Sequence, residues 1–139
     1  MRIKSLFPTT MGAGIFLASI PAFSHHAFSA EYDALKPVTL KGTLTKLEWT
    51  NPHAWLHVDV QDEQGKVVNW AIEFGSPNAL LRRGLRKTDF PEGLQLVVNG
   101  YRAKNGSATV NGTSVKLPDG RDLFTGSSGT GAPGEGQEK

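Results

Sequence analysis

The chain has 139 residues, 16 glycines, 8 prolines, no cysteine and a formal net charge of +2. That length suits one domain, and 38 % hydrophobic with 20 % charged residues is an ordinary globular composition. The lack of cysteine excludes a disulfide framework, a thiolate metal site and a cysteine nucleophile, while the glycine and proline content favours turns and short strands over a helical bundle.

Residues 1–24 read as a secretory signal peptide. Arg2 and Lys4 make a basic start, the run from Met11 to Ile20 is apolar and uncharged, and Ala22 and Ser24 are small residues suited to cleavage after Ser24. The apolar run is too short to span a bilayer. A periplasmic or secreted location is therefore expected. Loss of Arg2 and Lys4 takes the 15 basic residues to 13, against 13 acidic ones, so the mature chain is expected to be neutral. A neutral exported domain has no electrostatic reason to bind nucleic acid or an anionic membrane. The partners that remain are a small ligand or another periplasmic protein. At the far end, residues 126–139 are rich in Gly and Ser and read as a disordered tail. The folded domain is expected over residues 25–125.

Within that domain, Val38, Leu40, Gly42 and Leu44 alternate with polar residues as in a half-buried first strand. The apolar phase then moves to Leu47 and Trp49, which predicts a β-bulge near Thr45 and Lys46. A second strand from His53 to Gln61 places Ala54, Leu56, Val58 and Val60 on one face and His53, Trp55, His57 and Asp59 on the other. A third, from Lys66 to Phe74, has Val68, Trp70, Ile72 and Phe74 as its apolar face. Matching those faces across a three-residue loop, Glu63-Gln64-Gly65, pairs Val60 with Val68, Val58 with Trp70 and Leu56 with Ile72. The same register sets Trp55 opposite Glu73 and His57 opposite Ala71.

Ser76-Pro77 is a helix N-cap followed by a first helical residue, and Gly84 is the stop. Arg82, Arg83, Arg86 and Lys87 around that helix end read as a solvated basic surface. A fourth strand runs from Leu94 to Ala103, an Asn105-Gly106 turn follows, and a fifth strand covers about 108–117 with a break at Asn111-Gly112. Leu123 and Phe124 add a last apolar contact. The expected fold is mainly all-β: a small five-stranded OB-like barrel with one short helix between strands 3 and 4. Another small barrel or a two-sheet sandwich is the alternative.

The chain has four histidines. Cleavage after Ser24 makes His25 and His26 the first residues, so an α-amine and two imidazoles come together, a donor set suited to copper as cofactor. His53 is the third candidate metal ligand, because His57 lies about 13 Å further along the strand. Trp55 is an aromatic on the polar face of strand 2. With Trp49, His57 and Glu73 it forms a candidate ligand-binding set, since OB-folds use the strand 2–3 face to hold oligosaccharides and other ligands. Packing of Trp55 beneath Phe28 or Tyr32 is the bland alternative. There is no nucleophile motif, metalloprotease motif or phosphate loop, so no catalytic residues are assigned and an enzyme is not expected.

His25-His26-Ala27-Phe28, Asp33, Gly42, Trp49-Thr50-Asn51-Pro52-His53-Ala54-Trp55, Trp70, Ser76-Pro77-Asn78-Ala79-Leu80, Gly84 and Asp119-Gly120-Arg121 together resemble a bacterial family of small exported proteins, a domain of unknown function. The resemblance implies a secreted, β-rich single domain that starts at the double histidine, and it implies no activity. The leading expectation is thus an exported, non-enzymatic binding or accessory domain with a copper-type site at His25, His26 and His53. Organic-ligand or glycan recognition through Trp55 is the second expectation, and a structural or assembly partner the third.

Overall fold

The computed structural model describes residues 28–127. The expected signal peptide, the His25-His26 pair and the tail beyond Ser127 lie outside them. Among the described residues no helix is long and apolar enough to cross a membrane.

The domain is mainly β. A short helical turn, α1 (Phe28–Glu31), leads into β1 (Tyr32–Glu48), followed by β2 (Trp55–Gln61), β3 (Val67–Glu73), helix α2 (Pro77–Arg82), a 3-10 turn (Lys87–Asp89), β4 (Gln95–Ala103), β5 (Thr109–Lys116) and β6 (Asp122–Phe124). Six strands form one sheet in the order β3-β2-β1-β4-β5-β6, and β3 also pairs with β5 in parallel. The pairings therefore run from β1 through β2, β3, β5 and β4 back to β1.

The β2–β3 hairpin has the register expected from its two faces: Val60 opposes Val68, Val58 opposes Trp70, Leu56 opposes Ile72, and Trp55 opposes Glu73. Gly65 takes the positive φ of 81° that the three-residue loop requires. The bulge is also where the phase change puts it, between Leu44 and Lys46 in the β1–β2 register. Ser76 caps α2, its side chain accepting from the Ala79 amide at 3.3 Å, and Gly84 ends the turn at φ 89°.

Several features differ from the sequence reading. There are six strands rather than five, because residues 122–124 pair with β5. β1 starts at Tyr32, ahead of Val38, since Tyr32 pairs with Ala103 and the chain then loops out before pairing resumes at Pro37. β5 runs through Asn111 and Gly112 without ending there; the irregularity falls one residue later, where Gly100 pairs with Gly112 but Asn99 with Ser114. Gly126 and Ser127, which composition placed in the tail, are buried. Arg83 explains part of this: its guanidinium donates to the Gly126 carbonyl at 2.7 Å and lies 4.7 Å from the Phe124 ring centre. That residue holds the segment after β6 instead of joining a solvated basic surface.

The main core comprises Leu44, Leu56, Val58, Ile72, Phe74, Leu80, Leu85, Val98, Val110 and Val115 with their neighbours. A second, smaller cluster of Phe28, Tyr32 and Ala103, with Tyr101 against it, fixes the N-terminal turn to the opposite face of the sheet. Phe28 stacks on Tyr32 at 5.8 Å and meets Tyr101 edge-on at 5.5 Å. The candidate site lies beside this second cluster.

Candidate functional site

Strand register brings the site together. Trp55 on β2 pairs with Glu73 on β3, Glu73 pairs with Asn111 on β5, and Asn111 pairs with Tyr101 on β4. In-register partners on adjacent strands share a face and stand about 4.8 Å apart. This row is on the face away from the main core, which is why polar side chains occur there. The N-terminal turn covers one side of it with Phe28 and Tyr32. Between turn and row is a cavity of about 230 Å³ lined by Phe28, Glu31, Tyr32, His53, Trp55, Glu73 and Asn111. A groove of about 440 Å³ adjoins it, sharing Glu31, Tyr32 and Trp55 and continuing past Lys104, Asn105, Ser107 and Thr109.

Glu73 is only 9 % exposed. One of its carboxylate oxygens, Oε2, accepts a hydrogen bond from the Tyr32 hydroxyl. The other, Oε1, is 3.4 Å from His53 Nδ1. Burial raises the Tyr32 hydroxyl far above its ordinary pKa, and the hydrogen bond and charge of Glu73 raise it further. The phenol is therefore a fixed donor at any ordinary pH. Asn111 is 4 % exposed, and its Oδ1 has no hydrogen-bond donor among the described residues. A buried oxygen left in that state costs about 1–3 kcal/mol.

His53 precedes β2, just after a cis Asn51–Pro52 peptide. Its Nδ1 lies 3.2 Å from the Phe74 carbonyl oxygen and 3.1 Å from Ser127 Oγ, as well as near Glu73. A carbonyl and a carboxylate only accept, so Nδ1 carries the proton and Nε2 keeps its lone pair in the neutral ring.

The residues named from sequence are parted by this geometry. Trp55, Glu73 and His53 line one cavity. His57 is elsewhere, with Nε2 3.1 Å from Glu48 Oε2 on β1. Hydrogen bonds from Lys46 first and His57 second hold the Glu48 carboxyl below its usual range. Trp49 packs on the main core with its ring 6.1 Å from Phe90. His25 and His26 lie outside the described residues, and among those described no group of three His, Cys, Asp or Glu could hold a metal ion. Tyr32 and Phe28, noted from sequence only as packing partners of Trp55, are cavity walls. Asn111 was not among the expected site residues, and a single Asn in a strand that otherwise alternates gives no local sign of the strand it will meet.

Fold and site together define a small, mainly β domain with a partly covered pocket on one sheet face. The chain belongs to a family of unknown function (DUF6152), whose model matches residues 14–113. No curated protein and no solved structure matches it.

Proposed function

We propose that this is an exported, non-enzymatic accessory domain of OB-like architecture that binds a small organic ligand in the pocket beside Trp55. The OB-like reading is supported by the pairing circuit β1–β2–β3–β5–β4–β1, by the parallel β3–β5 pairing and by helix α2 between β3 and β4. Export is supported by the basic-then-apolar start and the small residues before His25.

One observation carries the ligand reading: three aromatic rings, Phe28, Tyr32 and Trp55, wall a cavity whose floor is polar and buried. Small-molecule sites combine such apolar walls with a few placed polar groups. A saturation-transfer NMR screen of small polar and aromatic fragments against the purified protein tests it. Fragments that bind the wild type should lose their signal with Trp55→Ala and keep it with Trp49→Phe. A screen without binders, or binders indifferent to Trp55→Ala, contradicts the reading.

The His53 tautomer favours a second reading, a copper-type site. Metal-binding imidazoles donate their second ring N–H to a carbonyl or carboxylate, as His53 Nδ1 does here, leaving Nε2 for the ion. His25 and His26 would supply the other nitrogens in the processed chain. Copper(II) titration of secreted protein, its first residue verified by mass spectrometry, should give one tight equivalent that is lost with His25→Ala and with His53→Ala. Equal uptake by all three proteins removes the site.

A further inference from the structure

The pocket floor offers acceptor atoms to an occupant. Asn111 Oδ1 lacks a donor among the described residues, and the carboxylate of its register partner Glu73 sits beside it on the next strand. Tyr32 supplies one hydrogen bond to Glu73, and His53 Nδ1 is 3.4 Å from the other oxygen. Carboxylate oxygens have about four lone-pair sites between them, so capacity remains. Phe28, Tyr32 and Trp55 line the walls. An occupant that suits both parts carries N–H donors for the floor, a positive charge for the carboxylate and an apolar part for the aromatic walls.

We infer that the cavity binds the head of a primary or secondary organic ammonium, which donates to Asn111 Oδ1 and Glu73 while Trp55 and Tyr32 enclose its alkyl part. This rests on the pocket being a ligand site, as proposed above. Competing chemistries each leave something unmet. An alcohol can donate to Asn111 Oδ1 but brings no charge to Glu73. A quaternary ammonium brings the charge and has no N–H to give. A bare metal ion would want more ligating groups than the described residues gather. A cavity of about 230 Å³ has room for a small head group. The adjoining groove offers room for a longer substituent along Asn105, Ser107 and Thr109.

The test is calorimetric titration of the purified protein with n-butylammonium chloride, tetramethylammonium chloride and n-butanol at one ionic strength. Butylammonium should bind saturably, with the other two at least ten-fold weaker. Asn111→Leu and Glu73→Gln should each weaken butylammonium at least ten-fold. Tyr101→Phe, beside the row and outside the cavity lining, should leave butylammonium binding unchanged, and matching circular dichroism spectra of Asn111→Leu, Glu73→Gln and wild type separate lost binding from lost fold. No saturable binding of butylammonium overturns the inference. Butanol or tetramethylammonium binding as tightly as butylammonium also overturns it, yet leaves the pocket as a ligand site. Fragments that ignore Trp55→Ala, by contrast, remove the ligand reading itself.

Discussion

Gly42→Val is expected to abolish cooperative folding at 25 °C. β1 serves two neighbours: residues 37–43 pair with β4 and residues 43–48 with β2, so Thr43 opposes both Gln95 and Asp59. Gly42 sits at that handover. A Cβ built there would stand 2.2 Å from the Asp59 carbonyl oxygen and 2.9 Å from a Val58 methyl. The obstacle is backbone of a paired strand, so a rotamer change cannot clear it. Separating the strands would break ladder hydrogen bonds and open the core at Val58, which is fully buried. Overpacking usually costs about 1–3 kcal/mol, and more where backbone must shift. Total stability of a domain this size is about 5–15 kcal/mol, so a clash with backbone followed by strand separation can consume most of it. Chemical denaturation followed by circular dichroism should show no folded baseline for Gly42→Val, while Gly65→Asn, at an open turn with φ 81°, keeps a sigmoidal transition.

The second large effect is at Tyr32. This residue is 5 % exposed and donates to Glu73, which is itself buried. Tyr32→Phe keeps the ring contacts with Phe28 and removes only the donor, leaving a carboxylate oxygen in a poor solvent environment. Hydrogen bonds to charged groups contribute about 1.5–3 kcal/mol, so a loss of about 2 kcal/mol is expected. Truncating both partners, Tyr32→Phe with Glu73→Leu, should cost less than the sum of the single changes, with a coupling of about 1 kcal/mol or more.

The pH dependence has a definite sign. Burial and Glu73 raise the folded-state pKa of Tyr32 above the unfolded value of 10.0. Folding therefore favours the protonated phenol. Its contribution is fully present below pH 10 and is lost as pH rises from there toward the folded pKa. Denaturation midpoints of the wild type should fall more steeply above pH 10 than those of Tyr32→Phe. Parallel slopes would show that the hydroxyl is not buried against the carboxylate.

Local rules made half of this molecule legible and stopped at a physical boundary. The β2–β3 register follows from the sequence because a three-residue loop joins two strands with opposite apolar and polar faces, and a one-residue slip would expose Leu56, Val58 and Ile72 together. Trp55 opposite Glu73 comes with it. The bulge follows from the phase change between Leu44 and Leu47, and α2 from Ser76, Pro77 and Gly84. That same phase change turns Trp49 toward the core, which separates it from Trp55. The parallel β3–β5 pairing was out of reach, since no tight turn connects Glu73 to Asn111 and no local pattern fixes their register. The pocket floor depends on that pairing. The start of β1 at Tyr32 was hidden for a related reason: residues between Tyr32 and Pro37 leave the ladder, with Leu35 90 % exposed, and so break the alternation. The cavity is built by β5 against β3, which sequence could not place, and by the N-terminal turn, whose Phe28 and Tyr32 sequence offered only as packing partners of Trp55.

The most direct measurement is a two-dimensional ¹H–¹⁵N spectrum of the labelled protein during titration with n-butylammonium chloride. The indole N–H of Trp55 and the side-chain amide of Asn111 should shift together along one saturation curve, while the indole of Trp49 stays in place. A folded protein in which Trp55 and Asn111 do not move, or in which Trp49 moves in their stead, would contradict a ligand site built from the Trp55–Glu73–Asn111 row.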